Sequence, residues 1–288
     1  MLLDCHSRRL SPDTIFYYQR AVSRFIDYCH GLNVTMPGQV TTAHIRLYLV
    51  KLQEHNNSVS CAHHYRAVKR FCNFMVEDEV IDRNKNPISL VHCPKMEQKI
   101  VQPFSTGDLR DILICCDQKT FNGARDAAIV WIFLDTGVRL GEMARMRRRD
   151  VNVQQNTIKV MGKGARERVV RIGERAMRAL LTYYRLRKDD NPALWVSSGG
   201  ETLKHWGVVA VIRRLKERAA ITDTRCSPHT FRHTFATTAF KNGAKDWQVQ
   251  SLLGHSSQVM TQRYRRTVNS ADALRDHETF SPADRLDL

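Results

Sequence analysis

Apolar side chains recur at helical spacing through the first ninety residues. Ser11 and Pro12 predict a helix start, because serine caps helix N-termini and proline suits the first helical position. The apolar positions that follow share one helical face: Tyr18, Val22, Phe25, Ile26 and Cys29. Similar faces predict two further helices that begin near Thr42 and Ser60. The pattern therefore predicts a small helical bundle over residues 1–90.

The helical period is lost over residues 91–103, where Pro94 and Pro103 enclose a polar stretch, and we interpret this segment as an interdomain linker. From 104 to 270 the pattern is again mostly helical. The exception is a β-rich segment from Val151 to Ile172, which predicts a small antiparallel sheet. The predicted fold class is therefore mainly α and multidomain, with an N-terminal helical bundle and a larger α-rich domain that contains this sheet.

The longest apolar run, Ala127–Leu134, predicts a buried helix and is too short to span a bilayer. The N-terminus turns polar at Asp4, which leaves no room for the apolar core of a secretory signal. The other helices predicted in the larger domain cover residues 105–116, 140–146, 174–188, 203–219, 230–242, 247–253 and 257–267. We expect a protein that neither crosses a membrane nor carries such a signal.

Composition points to a polyanionic partner. The 288 residues include 45 Lys and Arg against 29 Asp and Glu, a formal charge of +16. Residues 103–288 hold 32 of the basic and 20 of the acidic side chains, so the larger domain carries most of the positive field. Nucleic acid is the first candidate partner and an anionic membrane surface the second. With 42% hydrophobic residues, the chain has enough apolar side chains for a folded core.

The eight cysteines are scattered and form no CxxC pair, which is typical of reduced thiols in a cytosolic protein. Cys61 stands close to His63 and His64, and His92 adjoins Cys93, but no second ligand pair follows at zinc spacing. We therefore predict no metal site.

Four local arrangements in the larger domain carry chemistry as a set: Thr136–Glu142 around Arg139, Gly162–Gly164 around Lys163, His229–His233 around Arg232, and Leu253–His255 followed by Tyr264. Taken singly, each has a structural explanation, such as a solvated arginine or a hairpin tip. Together they suit metal-free attack on a phosphodiester. Arginine forks bind phosphate oxygens and keep their charge, a mobile lysine can protonate the leaving oxygen, and a tyrosine can attack.

The order and spacing of these pieces resemble the tyrosine recombinase, or phage integrase, family, and most closely its short two-domain Xer-like members. The segments that carry the resemblance are TGVRLGE, GKGARERVVRI, HTFRHTFAT, and LGHSS with TQRY, in which the tyrosine follows the histidine by nine residues. The motifs lie between about residues 104 and 266. The resemblance implies a SAM-like core-binding domain at 1–90 and a catalytic domain at 104–270.

The resemblance also implies roles for six catalytic residues. Arg139 and Arg232 would hold the scissile phosphate, Lys163 would be the general acid, His229 would act in proton transfer, His255 would hydrogen-bond a phosphate oxygen, and Tyr264 would be the nucleophile. Glu142 has two interpretations: it supports the site as an acidic residue, or it forms a surface ion pair with Arg139 or Arg145. The hairpin offers three other candidates for the general acid, Lys159, Arg166 and Arg168. We prefer Lys163 because it lies between two glycines. His233 is interpreted as structural.

The implied activity is site-specific DNA recombination through a 3′-phosphotyrosyl intermediate, in integration, excision or resolution, with no cofactor. The implied partner is double-stranded DNA with a specific site. The implied assembly is a homotetramer, or a heterotetramer with a paralogue, in the cytoplasm at the nucleoid.

The alternative functions are a DNA-binding accessory protein on the same fold, a type IB topoisomerase-like enzyme and a metal-dependent nuclease. For the nuclease, the acidic residues are too dispersed along the sequence. Residues 271–288, with five acidic and two basic side chains, are interpreted as a tail that docks on a neighbouring subunit.

Overall fold

The computed structural model divides the chain into two compact units, Met1–Lys99 and Ile100–Leu288. It describes residues 1–96, 101–162 and 167–254, together with positions 258, 261, 262, 264, 265 and 268. Each unit has its own hydrophobic core.

Among its described residues, the first unit has four α-helices: α1 (Leu2–Ser7), α2 (Pro12–His30), α3 (Thr42–His55) and α4 (Ser58–Glu77). Helices α2 to α4 begin at side-chain caps, because the oxygens of Ser11, Thr41 and Asn57 each accept a hydrogen bond from the backbone N–H three residues later. The predicted helical bundle is confirmed, and α1 is an element that the sequence pattern did not predict.

The core of the first unit consists of the predicted apolar helix faces. Phe25 and Tyr48 pack edge to face with ring centroids 5.1 Å apart. Val91, the first residue of the predicted linker, is buried in this core, and its carbonyl accepts a 2.8 Å hydrogen bond from the hydroxyl of Tyr65. The first unit therefore holds the chain in place beyond residue 90.

The second unit holds seven helices and three strands among its described residues: α5 (Thr106–Ile114), α6 (Phe121–Thr136), α7 (Leu140–Arg145), β1 (Val151–Asn152), β2 (Thr157–Met161), β3 (Glu167–Arg171), α8 (Glu174–Leu186), α9 (His205–Arg218), α10 (Pro228–Lys241) and α11 (Asp246–Leu253). The described positions from 258 to 268 are also helical. The predicted mainly α fold with one small sheet is confirmed.

The sheet is antiparallel in the order β1-β2-β3. Ile158 pairs with Val170, and both are buried, while Met161 pairs with Glu167 at the end of the β2–β3 hairpin where the two strands are connected. Residues 163–166 connect the two strands and lie outside the described residues. The sheet thus fixes Met161 and Glu167, the strand ends on either side of Lys163 in the sequence.

Helix α6 is the centre of the second unit and is buried along nearly its whole length, as its apolar run predicts. Two charged residues are buried with it, and Arg125 donates two hydrogen bonds to one carboxylate oxygen of Asp126 at 2.9 and 2.7 Å. Arg214 of α9 donates to the other oxygen at 2.6 Å, so the buried charges are paired. In the described part of the chain, no helix combines the length and the apolar character needed to cross a bilayer.

Candidate active site

The turn after α6 brings the Thr136–Glu142 segment, which contains Arg139, towards α10 and α11. Gly137 ends α6 in the left-handed conformation, with φ of 58°. A Cβ atom at this position would lie 2.5 Å from Cδ1 of Phe235 and 2.7 Å from Cδ2 of Leu253. The Gly137 carbonyl also accepts a 2.7 Å hydrogen bond from Arg232. Both the backbone conformation and the close approach therefore require glycine here.

Replacing Gly137 with alanine is expected to lower the free energy of unfolding by about 1–3 kcal/mol or more. Alanine at this position would have a strained φ, and its methyl group would enter space that is already occupied. Urea denaturation at neutral pH would measure the change. Gly107→Ala is the matched control, since a Cβ there would lie 3.5 Å from its nearest neighbour, Oγ of Ser105, an ordinary contact. Equal stability of the two variants would contradict this account of the turn.

Arg139 immediately precedes α7 and is hydrogen-bonded to Glu142 in the first turn of that helix. Its backbone N–H donates to Oε2 of Glu142 at 2.8 Å, and its Nη1 donates to Oε1 at 3.0 Å. The side chain of Arg139 is 43% exposed, whereas that of Glu142 is 2% exposed. The ion pair expected from the spacing is present, but its carboxylate is buried rather than at the surface.

The charge of Glu142 is stabilised despite its burial. Burial alone would raise its pKa, but hydrogen bonds from Arg168 and from the Arg139 backbone, together with the charges of both arginines, lower the pKa to about 2. Glu142 is therefore an anion at neutral pH, held between two arginines.

Arg232 lies on α10 and is buried against the turn and the end of α11. Nη1 donates to the Gly137 carbonyl at 2.7 Å, and Nη2 donates to the Leu253 carbonyl at 2.8 Å. Burial and the nearby charge of Arg139 lower its pKa to about 10, so Arg232 remains a cation at neutral pH. Arg139 reaches the same end of α11, with Nη1 3.4 Å from the Leu253 carbonyl oxygen and Nη2 3.3 Å from that of Gly254.

His229, Arg232 and His233 follow one another at helical spacing near the start of α10. Burial and the charges of Arg232 and Arg225 lower the pKa of His229, which favours a neutral imidazole. His233 is buried, and its ring centroid lies 5.1 Å from that of Tyr264. His233 therefore packs against the ring of Tyr264, which is compatible with the structural role predicted for it.

Tyr264 is brought to the same place by a small apolar cluster. Its side chain is 5% exposed and belongs to a group that includes Ala236 and Phe240 of α10 and Leu253 of α11. The phenol also lies near enough to Arg232 to influence the pKa of that guanidinium. The structure thus gathers Arg139, Arg232 and Tyr264 around the C-terminal end of α11.

Two of the six predicted catalytic residues, Lys163 and His255, lie outside the described residues. The chain is described up to Gly162 and Gly254, the positions that precede them. Gly254 ends α11 in the left-handed conformation, with φ of 61°. The structure therefore fixes the residues that directly precede Lys163 and His255 in the chain.

Arg168 also belongs to this cluster, although the sequence suggested it only as an alternative candidate to Lys163 on the hairpin. Its guanidinium forms a two-pronged contact with Glu142, at 2.8 Å from Nη1 to Oε1 and 2.9 Å from Nη2 to Oε2. The two-residue period of a strand could have indicated this position, because it places Arg168 on the same face of β3 as the apolar Val170, which is buried. A charged residue on a buried strand face needs a buried partner.

Comparison with known proteins agrees with this arrangement. A model of the phage integrase family matches residues 104–270, and a model of the phage integrase N-terminal SAM-like domain matches residues 1–82. Tyrosine recombinase XerC of Anoxybacillus flavithermus is 30% identical over 266 residues, which cover 89% of this chain and 88% of the relative. Tyrosine recombinase XerD of Staphylococcus epidermidis is 29% identical over 280 residues, which cover 95% and 94%.

A crystal structure of the XerH site-specific recombinase bound to palindromic difH substrate has the same fold, with a TM-score of 0.76 at 18% identity over 94% of this chain and 81% of that one. A mainly helical chain with these relatives is a tyrosine-type site-specific DNA recombinase. The chain belongs to the phage integrase family. The family, fold class and enzyme class expected from the motifs are confirmed.

Proposed function

We propose that this recombinase cuts and rejoins DNA through a covalent bond between Tyr264 and the 3′ phosphate of the cut strand. The observation that carries the proposal is the convergence of Tyr264 with Arg139 and Arg232, both of which donate to the Leu253 carbonyl. Two fixed cations beside a tyrosine suit a reaction in which negative charge grows on phosphate oxygens.

In the proposed cleavage step, the phenolic oxygen of Tyr264 attacks phosphorus as the bond to the 5′ oxygen breaks. The phenol proton passes to His229, and the departing 5′ oxygen receives a proton from Lys163. Arg139 and Arg232 hold the two non-bridging oxygens, and His255 donates a further hydrogen bond to one of them. Rejoining is the reverse reaction with the 5′ hydroxyl of a partner strand, so no external energy source is needed.

Glu142 supports this site by holding Arg139 at both its backbone and its side chain. The reaction as written needs no cofactor. Wild-type protein should therefore form a denaturation-resistant adduct with nicked substrate DNA in the presence of a chelator. An accessory protein would form no adduct, and a metal-dependent nuclease would be stopped by the chelator. A topoisomerase-like enzyme would relax plasmids that lack a recombination site.

We further propose that the partner is double-stranded DNA with a specific site, which fits the charge of +16. Residues 1–90 would serve as the core-binding domain, 91–103 as the linker and 104–270 as the catalytic domain, working in the cytoplasm at the nucleoid. Exchange joins four strand ends, so the active species would be a tetramer on two duplexes, of identical subunits or with a paralogue.

Residues 271–288 lie outside the described residues, and their docking on a neighbouring subunit is part of this proposal. Their excess of acidic side chains suits contact with a basic protein surface rather than with DNA. Deleting 271–288 is expected to leave binding to a single site within about twofold, while it reduces synapse formation and strand exchange at least about tenfold. Gel shifts and a recombination assay would measure these quantities. Full-rate recombination by the truncated protein would contradict the proposed docking.

A further inference from the structure

Arg168 connects three parts of the site that are distant in sequence. It lies on β3, the strand that follows the Lys163 loop, and its side chain is 16% exposed. Besides its two hydrogen bonds to Glu142, its Nε donates to the Leu252 carbonyl at the end of α11 at 3.0 Å. One guanidinium therefore joins the hairpin, the Glu142 carboxylate and the last turn of α11.

The same side chain lies against the turn that leads to residue 255. A Cβ added to Gly254 would lie 3.1 Å from Nη1 of Arg168 and 3.3 Å from its Cδ and Cζ. The Arg168 side chain thus lies close against the left-handed Gly254 and leaves little space for a side chain there. A shift of Arg168 would release this turn as well as the carboxylate.

Glu142 is shared unequally between two arginines. Oε1 accepts from Nη1 of Arg168 at 2.8 Å and from Nη1 of Arg139 at 3.0 Å, whereas the side chain of Arg168 also reaches Oε2. The two-pronged pairing with Arg168 is the strongest of the interactions that lower the pKa of the buried carboxylate. Without Arg168, Arg139 alone would neutralise Glu142, and its N–H groups would turn from the phosphate towards the carboxylate.

We propose that Arg168 is a positioning residue for strand cleavage, which neutralises Glu142 and fastens the end of α11 so that Arg139 remains available to the scissile phosphate. This proposal rests on the proposed function of Arg139 and Tyr264. Arg168 itself contacts Glu142 and the α11 backbone and acts on the reaction through Arg139.

The test compares Arg168→Gln with Arg171→Gln, which removes the same charge from an exposed position of the same strand. Single-turnover adduct formation on a nicked suicide substrate gives the cleavage rate, and fluorescence anisotropy gives the DNA affinity. We expect Arg168→Gln to slow cleavage about 10- to 100-fold, the cost of a misplacement near 1 Å, and to change affinity less than about threefold. Arg171→Gln should stay within about twofold in cleavage rate.

Two further variants separate positioning from general loss of structure. Arg168→Lys keeps the charge but cannot form the two-pronged contact, so it should remain folded and still be at least about tenfold slow. Adding Glu142→Gln to Arg168→Gln should slow cleavage little beyond the slower single variant, because both break one network. A lysine variant at the wild-type rate, or independent, multiplying effects in the double variant, would overturn the proposal.

A substrate with a 5′-bridging sulfur leaving group separates an effect on the phosphate-holding arginine from an effect on protonation of the leaving group. The effect of Arg168→Gln should persist on it, since the role concerns the phosphate-holding arginine rather than protonation. Full rescue by sulfur would instead assign Arg168 to the Lys163 loop and overturn the inference. Normal cleavage by Arg168→Gln with none by Tyr264→Phe would refute this inference alone, whereas adduct from Tyr264→Phe would refute the proposed site.

Discussion

Tyr264→Phe is expected to abolish the covalent protein–DNA adduct while DNA affinity stays within about twofold of wild type. The substitution removes only the phenolic oxygen and keeps the ring, which packs on His233 and among the apolar residues of α10 and α11. Without that oxygen, no atom of the side chain can attack phosphorus. Adduct on a suicide substrate and a parallel gel shift would measure the two quantities.

Tyr184→Phe is the matched control for this experiment. The Tyr184 hydroxyl is also buried in the second unit, and it has no hydrogen-bond partner among the described residues. Its removal should leave both adduct formation and affinity unchanged within about twofold. Adduct formation by Tyr264→Phe would show that another group is the nucleophile.

Lys163→Ala is expected to slow cleavage of an ordinary phosphodiester about 10²- to 10⁴-fold, the usual contribution of a general acid. A 5′-bridging sulfur should restore most of the rate, because a thiolate leaves without a proton. Arg139→Ala should be as slow on the sulfur substrate as on the oxygen substrate, since its proposed role is charge stabilisation. Rates on both substrates, measured in single turnover, make the comparison.

Lys159→Ala controls for the loss of a lysine from the same hairpin. Lys159 lies on β2, half exposed, with Nζ 3.4 Å from a carboxylate oxygen of Glu167. An exposed pair of this kind contributes little, so this variant should cleave both substrates at nearly the wild-type rate. Rescue of Arg139→Ala by sulfur, or failure to rescue Lys163→Ala, would contradict the assignment of the general acid.

The long helices could be predicted from the sequence because their apolar faces recur over several turns and their starts carry caps such as Ser11 and Thr41. Helix α1 could not, because six residues are too few to show a period. It is held by tertiary contacts instead, with Cys5 buried and Asp4 2.7 Å from Arg70, which lies 66 residues away in the chain. Such contacts have no local signature.

The candidate site shows the same division. Arg139, Arg232 and Tyr264 were singled out by their motifs, and the structure brings them together at the end of α11. The burial of Glu142 and its two-pronged contact with Arg168 could not be read from the sequence, because the two residues are 26 positions apart and meet only in the folded chain, where the Arg168 side chain reaches from β3 to α7 and to the end of α11.

The end of α11 has a consequence for how the enzyme meets DNA. Three guanidinium groups point at the last carbonyls of this helix, where the helix dipole places a partial negative charge. The helix dipole and these carbonyls compensate part of the positive charge of the three arginines, the charge that would face a phosphate in the proposed reaction. The repulsion between the gathered cations is therefore offset during folding, and in the proposed reaction a DNA phosphate would meet arginines that are already held in place before charge develops in the transition state.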